Sequence, residues 1–177
     1  MTIKKWETIS RKDLLVHSRM HVVEDMVRLP DGNVTTYVRS TPAVTHSVAV
    51  IAVNDAGELL LQREYSYPPD EIMWQLPGGA IEKDEDIITA AQRELSEESG
   101  YVAEECRIIG FFYSDNRRSD RRQYIVAARG IREESRPADP EEFIESHWLP
   151  ADEVKRMIPK LTNMNLQAAL NLWFHSE

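Results

Sequence analysis

Only one cysteine, Cys106, occurs in 177 residues. No intrachain disulfide can form, which fits a reducing compartment. Long apolar runs are also missing. Stretches such as Val48 to Val53 reach strand length and fall far short of a membrane span. Positive charge is in the minority, with 21 Lys and Arg against 30 Asp and Glu, a formal net charge of −9. That balance lacks the basic surface of a general nucleic-acid binder. Behind Met1-Thr2-Ile3-Lys4-Lys5-Trp6 there is no apolar core or small-residue cleavage site, so no secretory signal is expected. Repeats and low-complexity segments are absent too. These absences leave a cytoplasmic protein with no nucleic-acid or membrane partner. The length suits one well-packed domain with a small appended element.

What charge there is lies unevenly. Acid is dense from Glu82 to Glu105 and from Glu133 to Glu145, and between them Arg117, Arg118, Arg121 and Arg122 form a basic knot. Acidic segments bracketing a basic one suit a metal-assisted site for a small phosphorylated substrate. They equally suit a solvated surface laced with local salt bridges.

Met1 to Ser40 reads as an appended β element, with a strand over 21–29, a Pro30-Asp31-Gly32-Asn33 turn and a return over 34–39. So small a sheet cannot bury both faces alone, so it should pack on the main domain or on a second subunit. Ser47 to Val53, rich in Val, predicts a central buried strand, and Glu58 to Tyr65 its return after Asn54-Asp55-Ala56-Gly57. A short strand over 73–76 leads into Pro77-Gly78-Gly79. A helix should follow, N-capped by Asp84 and ended by Gly100, with Ile87, Ile88, Ala91 and Leu95 on its buried stripe. Strands are then expected over 106–113, 123–129 and 143–149, and helices over 150–158 and 163–174. The fold class is α+β, mixed α/β, a sheet clamped between helices.

The expected central helix carries Arg93-Glu94-Leu95-Ser96-Glu97-Glu98. Residues three and four apart share a helix face, so Glu94 aligns with Glu97 and Glu98. Like charges at that spacing repel unless something cationic sits on them, and a hard divalent ion among carboxylate oxygens is the obvious candidate. An EF-hand is excluded, because its ligands alternate through a loop.

Gly79, five residues, Glu85, seven residues, then Arg93-Glu94-Leu95-x-Glu97-Glu98-x-Gly100 resembles the signature of the Nudix hydrolases. The resemblance implies a Nudix-type central mixed sheet between helices over residues 43–177, with residues 1–42 as the N-terminal β element. It implies Mg²⁺, or Mn²⁺, held by Glu94, Glu97 and Glu98 with the carbonyl of Gly78, and hydrolysis of a pyrophosphate bond. Gly79, Glu85, Arg93 and Gly100 would be structural, with Arg93 and Glu85 bracing loop against helix. The water-activating base would be a motif glutamate, Glu97 or Glu98, or a loop acid, Glu142 or Glu141.

Outside the box, Trp6 to Arg39, Arg63-Glu64-Tyr65-Ser66-Tyr67-Pro68, Trp74-Gln75-Leu76-Pro77 and Tyr113 through Asp120 look like the ADP-ribose pyrophosphatase branch. That likeness implies a homodimer, substrate contacts from Arg63 and Trp74, and ADP-ribose or a related nucleoside diphosphate sugar as substrate. The chain departs from the branch where Ser66 replaces a common arginine and Asn116 a common proline. Arg117 and Arg118 could supply phosphate contacts instead, or only surface salt bridges. A GDP-sugar or dinucleoside polyphosphate hydrolase is an alternative, and a non-catalytic nucleotide-sugar-binding module is another.

Overall fold

The unbroken apolar run becomes strand β4, and its length of buried side chains has a two-sided cause. The computed structural model describes residues 3–41, 46–134 and 143–176. In chain order the strands are β1 (Glu7–His17), β2 (Met20–Arg28), β3 (Val34–Thr41), β4 (His46–Ala52), β5 (Glu58–Ser66) and β6 (Glu71–Gln75). Helix α1 (Ile87–Ser99) follows, then β7 (Tyr101–Tyr113), β8 (Arg122–Glu133) and β9 (Ile144–Pro150), and finally α2 (Ala151–Met157), a 3₁₀ turn and α3 (Met164–Phe174).

Successive strand residues point to opposite faces. Ala49, Ile51 and Val53 join a core with Leu59, Leu61 and the helical residues Val154, Leu166, Leu170 and Trp173. Val48, Val50 and Ala52 join a second core with Leu60 and the α1 residues Ala90, Ala91 and Leu95. Both faces of β4 are covered by helices, so neither set of residues can be polar. The same alternation divides Ile125 and Ala127 from Val126 and Ala128 on β8.

Sheet connectivity is β4-β8-β7 and β6-β5-β9, with β1-β2-β3 as a third sheet. The expected central sheet is thus built as two three-stranded sheets. Single bridges at Val53–Leu59 and Ser47–Ala80 tie β4 to β5 and to the segment after β6. In β6-β5-β9 both pairings are antiparallel, and Arg63 lies between Trp74 and Glu145 while Gln62 lies between Gln75 and Ser146.

Chain contacts divide the molecule into two units: residues up to 45 with Tyr113–Arg122, and His46–Phe112 with Gln123–Glu177. In the first unit, β1 is an additional eleven-residue strand that pairs with β2. Polar and apolar residues mix along 7–17 without clean alternation, which hid this strand from a pattern-based reading. On β2, Val23, Asp25 and Val27 are buried in strict alternation. The charge among them is matched: Arg11 Nε donates to Asp25 at 2.6 Å and Arg39 Nε at 2.8 Å. Bonding from Arg11, and then from Arg39, holds the Asp25 carboxyl below the usual carboxylate range. Its stabilisation is therefore complete above the ordinary Asp range and is lost as pH falls through the lowered value.

The loop between β7 and β8 docks on β3 within this unit. Ser40 N donates to the Arg118 carbonyl at 2.7 Å, Arg118 Nη1 donates to the Val38 carbonyl at 3.1 Å, and the Tyr37 hydroxyl donates to the Arg117 carbonyl. Among the described residues, no helix is long and apolar enough to cross a membrane.

Candidate active site

Helix α1 starts two residues later than the expected cap implied. Asp86, not Asp84, is the N-cap; its side chain accepts from Ile88 N at 2.9 Å and Thr89 N at 3.1 Å. An N-cap must immediately precede the first helical residue, and Asp84 instead sits in a turn with φ +66°. The buried stripe is corrected as well. Ala90, Ala91, Leu95 and Ser96 are buried, whereas Ile87 and Ile88 are partly buried at its margin. Gly100 ends the helix in the left-handed region at φ +71°, its N–H donating to the Ser96 carbonyl at 3.0 Å.

Arg93 is the hub of the helix face. Its Nε and Nη2 donate to the two oxygens of Glu85 at 2.9 and 3.0 Å, a fork-on-fork pairing. Nη2 also donates to the Ala80 carbonyl at 3.0 Å, and Nη1 donates to Glu94 at 3.0 Å and Glu97 at 3.1 Å. One guanidinium therefore pins the loop to the helix and supplies counter-charge to two glutamates. The Glu85 bond raises the Arg93 pKa above its already high value and holds the Glu85 carboxyl below the usual range. The side chains of Glu85 and Glu94 are only 11% and 12% exposed, so their charges depend on this partner.

The glycines beside the helix leave no room for anything larger. At Gly78, φ is +156° and a Cβ would run into the Val48 carbonyl and Ala49. At Gly79, a Cβ would lie 2.7 Å from the Glu94 carboxylate carbon. Gly78 N donates to Glu98 Oε2 at 2.9 Å, while the carbonyls of Pro77 and Gly79 accept from Val50 N and Val48 N.

Among the described residues, no three His, Cys, Asp or Glu side chains stand assembled around a common point. Glu94 and Glu97 are drawn to Arg93, and Glu98 to the Gly78 amide. The donor set is nevertheless all oxygen, on one helix face and against a glycine loop that the Glu94 carboxylate fills. That chemistry fits a hard divalent cation such as Mg²⁺ or Mn²⁺.

Of the other residues singled out by sequence, Arg63 and Trp74 are brought together. The Arg63 guanidinium lies 5.8 Å over the Trp74 ring and 3.7 Å from the Glu145 carboxylate. Arg117 and Arg118 belong to the other unit, where the Arg118 guanidinium is engaged with β3 and lies 5.8 Å over Tyr37. Glu141 and Glu142 lie outside the described residues.

Sequence reasoning passed over Gln62 and His147. Gln62 is completely buried, and its Nε2 lies 3.4 Å from the Glu98 carbonyl and 3.5 Å from Ser146 Oγ. The sequence does not set it apart, since it stands between Leu59-Leu60-Leu61 and the charged pair Arg63-Glu64. His147 packs edge-on to Trp74 at 5.4 Å. Only the strand register, which sets 147 two residues from 145 beside Arg63, reveals that neighbour.

The NUDIX domain model matches residues 44–169, more than half of the chain. The chain belongs to the Nudix family. It is a pyrophosphohydrolase of that family, similar to ADP-ribose pyrophosphatases. It is 27% identical over 154 residues to the ADP-ribose pyrophosphatase of Bacillus subtilis (strain 168), covering 86% of this chain and 82% of that protein. It is 28% identical over 154 residues to the methanol dehydrogenase activator of Bacillus methanolicus, with the same 86% and 82% coverage. A crystal structure of an ADP compounds hydrolase superposes with a TM-score of 0.89 at 21% identity, over 99% of this chain and 96% of that one. The last likeness shows the same fold, and the family match spans the glutamates of α1.

Proposed function

We propose that this Nudix enzyme hydrolyses the diphosphate bond of ADP-ribose or a related nucleoside diphosphate sugar, with Mg²⁺, to a nucleoside monophosphate and a sugar phosphate. The observation that carries the reading is the α1 face. Three glutamates share it, one of them seated against Gly79 and another on the Gly78 amide. Glu94, Glu97 and Glu98, with the Gly78 carbonyl, would hold the ion. When bound, such an ion neutralises phosphate charge and acidifies a coordinated water. Arg93 orients Glu94 and Glu97, and Glu85 holds Arg93 in place. Proton removal from water falls to Glu97 or Glu98, or to Glu141 or Glu142. Arg63 over Trp74 offers a cation and an aromatic face to a nucleotide. The name of the Bacillus subtilis relative supports ADP-ribose.

A panel of ADP-ribose, GDP-sugars, dinucleoside polyphosphates and nucleoside triphosphates with Mg²⁺, read by product identity, tests the assignment. AMP and ribose 5-phosphate from ADP-ribose are expected, with at least about tenfold lower kcat/KM on the triphosphates. Turnover of triphosphates alone would contradict it.

A homodimer is part of the same proposal. Support comes from β1, where every residue is exposed and Ile9, Leu14, Leu15 and Val16 stand in solvent on an open sheet edge. Light scattering is expected to give twice the chain mass of 20.4 kDa. A mass of one chain at micromolar concentration would contradict it.

A further inference from the structure

Packing alone does not account for Gln62. It is completely buried in β5, the middle strand of β6-β5-β9, directly after the equally buried Leu59, Leu60 and Leu61. Successive strand residues alternate in face, so Gln62 lies on the same side as Leu60, whose core is shared with α1. A leucine or methionine would fill that place and leave no polar atom to satisfy. The amide makes two long hydrogen bonds, from Nε2 to the Glu98 carbonyl at 3.4 Å and to Ser146 Oγ at 3.5 Å. Its Oε1 has no hydrogen-bond partner among the described residues. For stability alone, the glutamine is a cost.

What it contributes is a donor at one place. The last four carbonyls of a helix find no N–H inside that helix. At the end of α1 the Ser96 carbonyl accepts from Gly100 N at 3.0 Å, whereas the Glu98 carbonyl accepts from Gln62, a side chain of another element. A carbonyl only accepts, so the Nε2 end of the amide must face it; turned over, Oε1 would meet Glu98 O. The same residue is held at its other end, where Glu98 Oε2 accepts from Gly78 N at 2.9 Å. Glu98 is thus gripped by its backbone from β5 and by its carboxylate from the glycine loop, while Glu94 and Glu97 lean on Arg93.

We propose that Gln62 is a positioning residue for the glutamates that hold the ion. By fixing the Glu98 carbonyl it sets the direction in which the Glu98 carboxylate leaves the helix. The inference rests on the reading of Glu98 as a ligand of the divalent ion, and it adds a residue that acts only through Glu98. A ligand already aimed loses less freedom when the ion arrives, so the effect falls on ion affinity.

Three variants test it. Gln62→Met and Gln62→Leu fill the site and remove the donor and the bare acceptor together. Ser146→Ala removes the other partner of Gln62 and leaves the Glu98 bond. In metal-free, ¹³C-labelled protein, the Glu98 carbonyl resonance is expected to move upfield in both Gln62 variants, as a carbonyl does on losing a hydrogen bond, and to stay in place in Ser146→Ala. Mn²⁺ affinity, read by electron paramagnetic resonance, should fall about tenfold in the Gln62 variants and less than about twofold in Ser146→Ala. The melting temperatures of the Gln62 variants should equal or exceed that of wild type. Wild-type Mn²⁺ affinity in the Gln62 variants, an unmoved Glu98 carbonyl, or an equal loss in Ser146→Ala overturns the inference. Early melting of both Gln62 variants overturns it too, because the amide would then be a structural partner only. If Glu98→Gln also binds Mn²⁺ as tightly as wild type, it is the metal reading of Glu98 that fails, and the Glu98 carbonyl resonance still decides whether Gln62 holds that residue.

Discussion

Glu97→Gln and Glu98→Gln are each expected to lower kcat by at least about a hundredfold while leaving the melting temperature within about 3 °C of wild type. The two halves of this result have different causes. Glutamine keeps the shape of the side chain but removes a charged oxygen, so the loss falls on holding the ion and on proton removal. Stability is spared because Glu97 is 45% exposed and its charge is repelled by that of Glu94 one turn away. Circular dichroism melts beside steady-state rates on ADP-ribose check both halves. A variant that melts early but keeps its rate would make the glutamate a structural partner of Arg93 and nothing more.

Arg93→Ala should do the reverse in kind, costing about 3 kcal/mol of stability as well as activity. Its guanidinium makes five hydrogen bonds, to Glu85, Glu94, Glu97 and the Ala80 carbonyl. Truncation removes the guanidinium from the Glu85 and Glu94 carboxylates, which are mostly shielded from water. For a chain of this length the drop corresponds to roughly 6–12 °C in melting temperature. The double variant Arg93→Ala/Glu85→Gln should recover part of it, because one of the shielded charges is then gone. A melting temperature unchanged by Arg93→Ala would show the ion pairs to be dispensable. Denaturant melts at neutral pH supply the free energies directly.

The box was legible because its chemistry demands fixed spacing. Carboxylates must recur at three and four residues to share a face, and glycine must stand where a Cβ would strike Val48 or Glu94. The two-sided core was legible for a similar reason, since 47–53 could not be apolar throughout unless both faces were covered. Three features were not. β1 lacks alternation because all eleven residues are exposed, so burial left no pattern on it. Asp84 and Asp86 are equivalent as caps in a sequence, and only the first helical residue distinguishes them. The counter-charge for Glu94 and Glu97 was expected from a metal alone, whereas Arg93 already supplies some of it from the same helix. Arg93 was assigned to Glu85 eight residues back, and the reach of one guanidinium to three carboxylates depends on side-chain geometry that spacing does not encode.

Binding of Mn²⁺, followed by electron paramagnetic resonance on wild type, Glu94→Gln, Glu97→Gln and Glu98→Gln without substrate, tests the role of the box most directly. Each substitution is predicted to weaken Mn²⁺ binding about tenfold or more. Equal Mn²⁺ affinity in all four proteins would contradict the claim that these glutamates hold the ion.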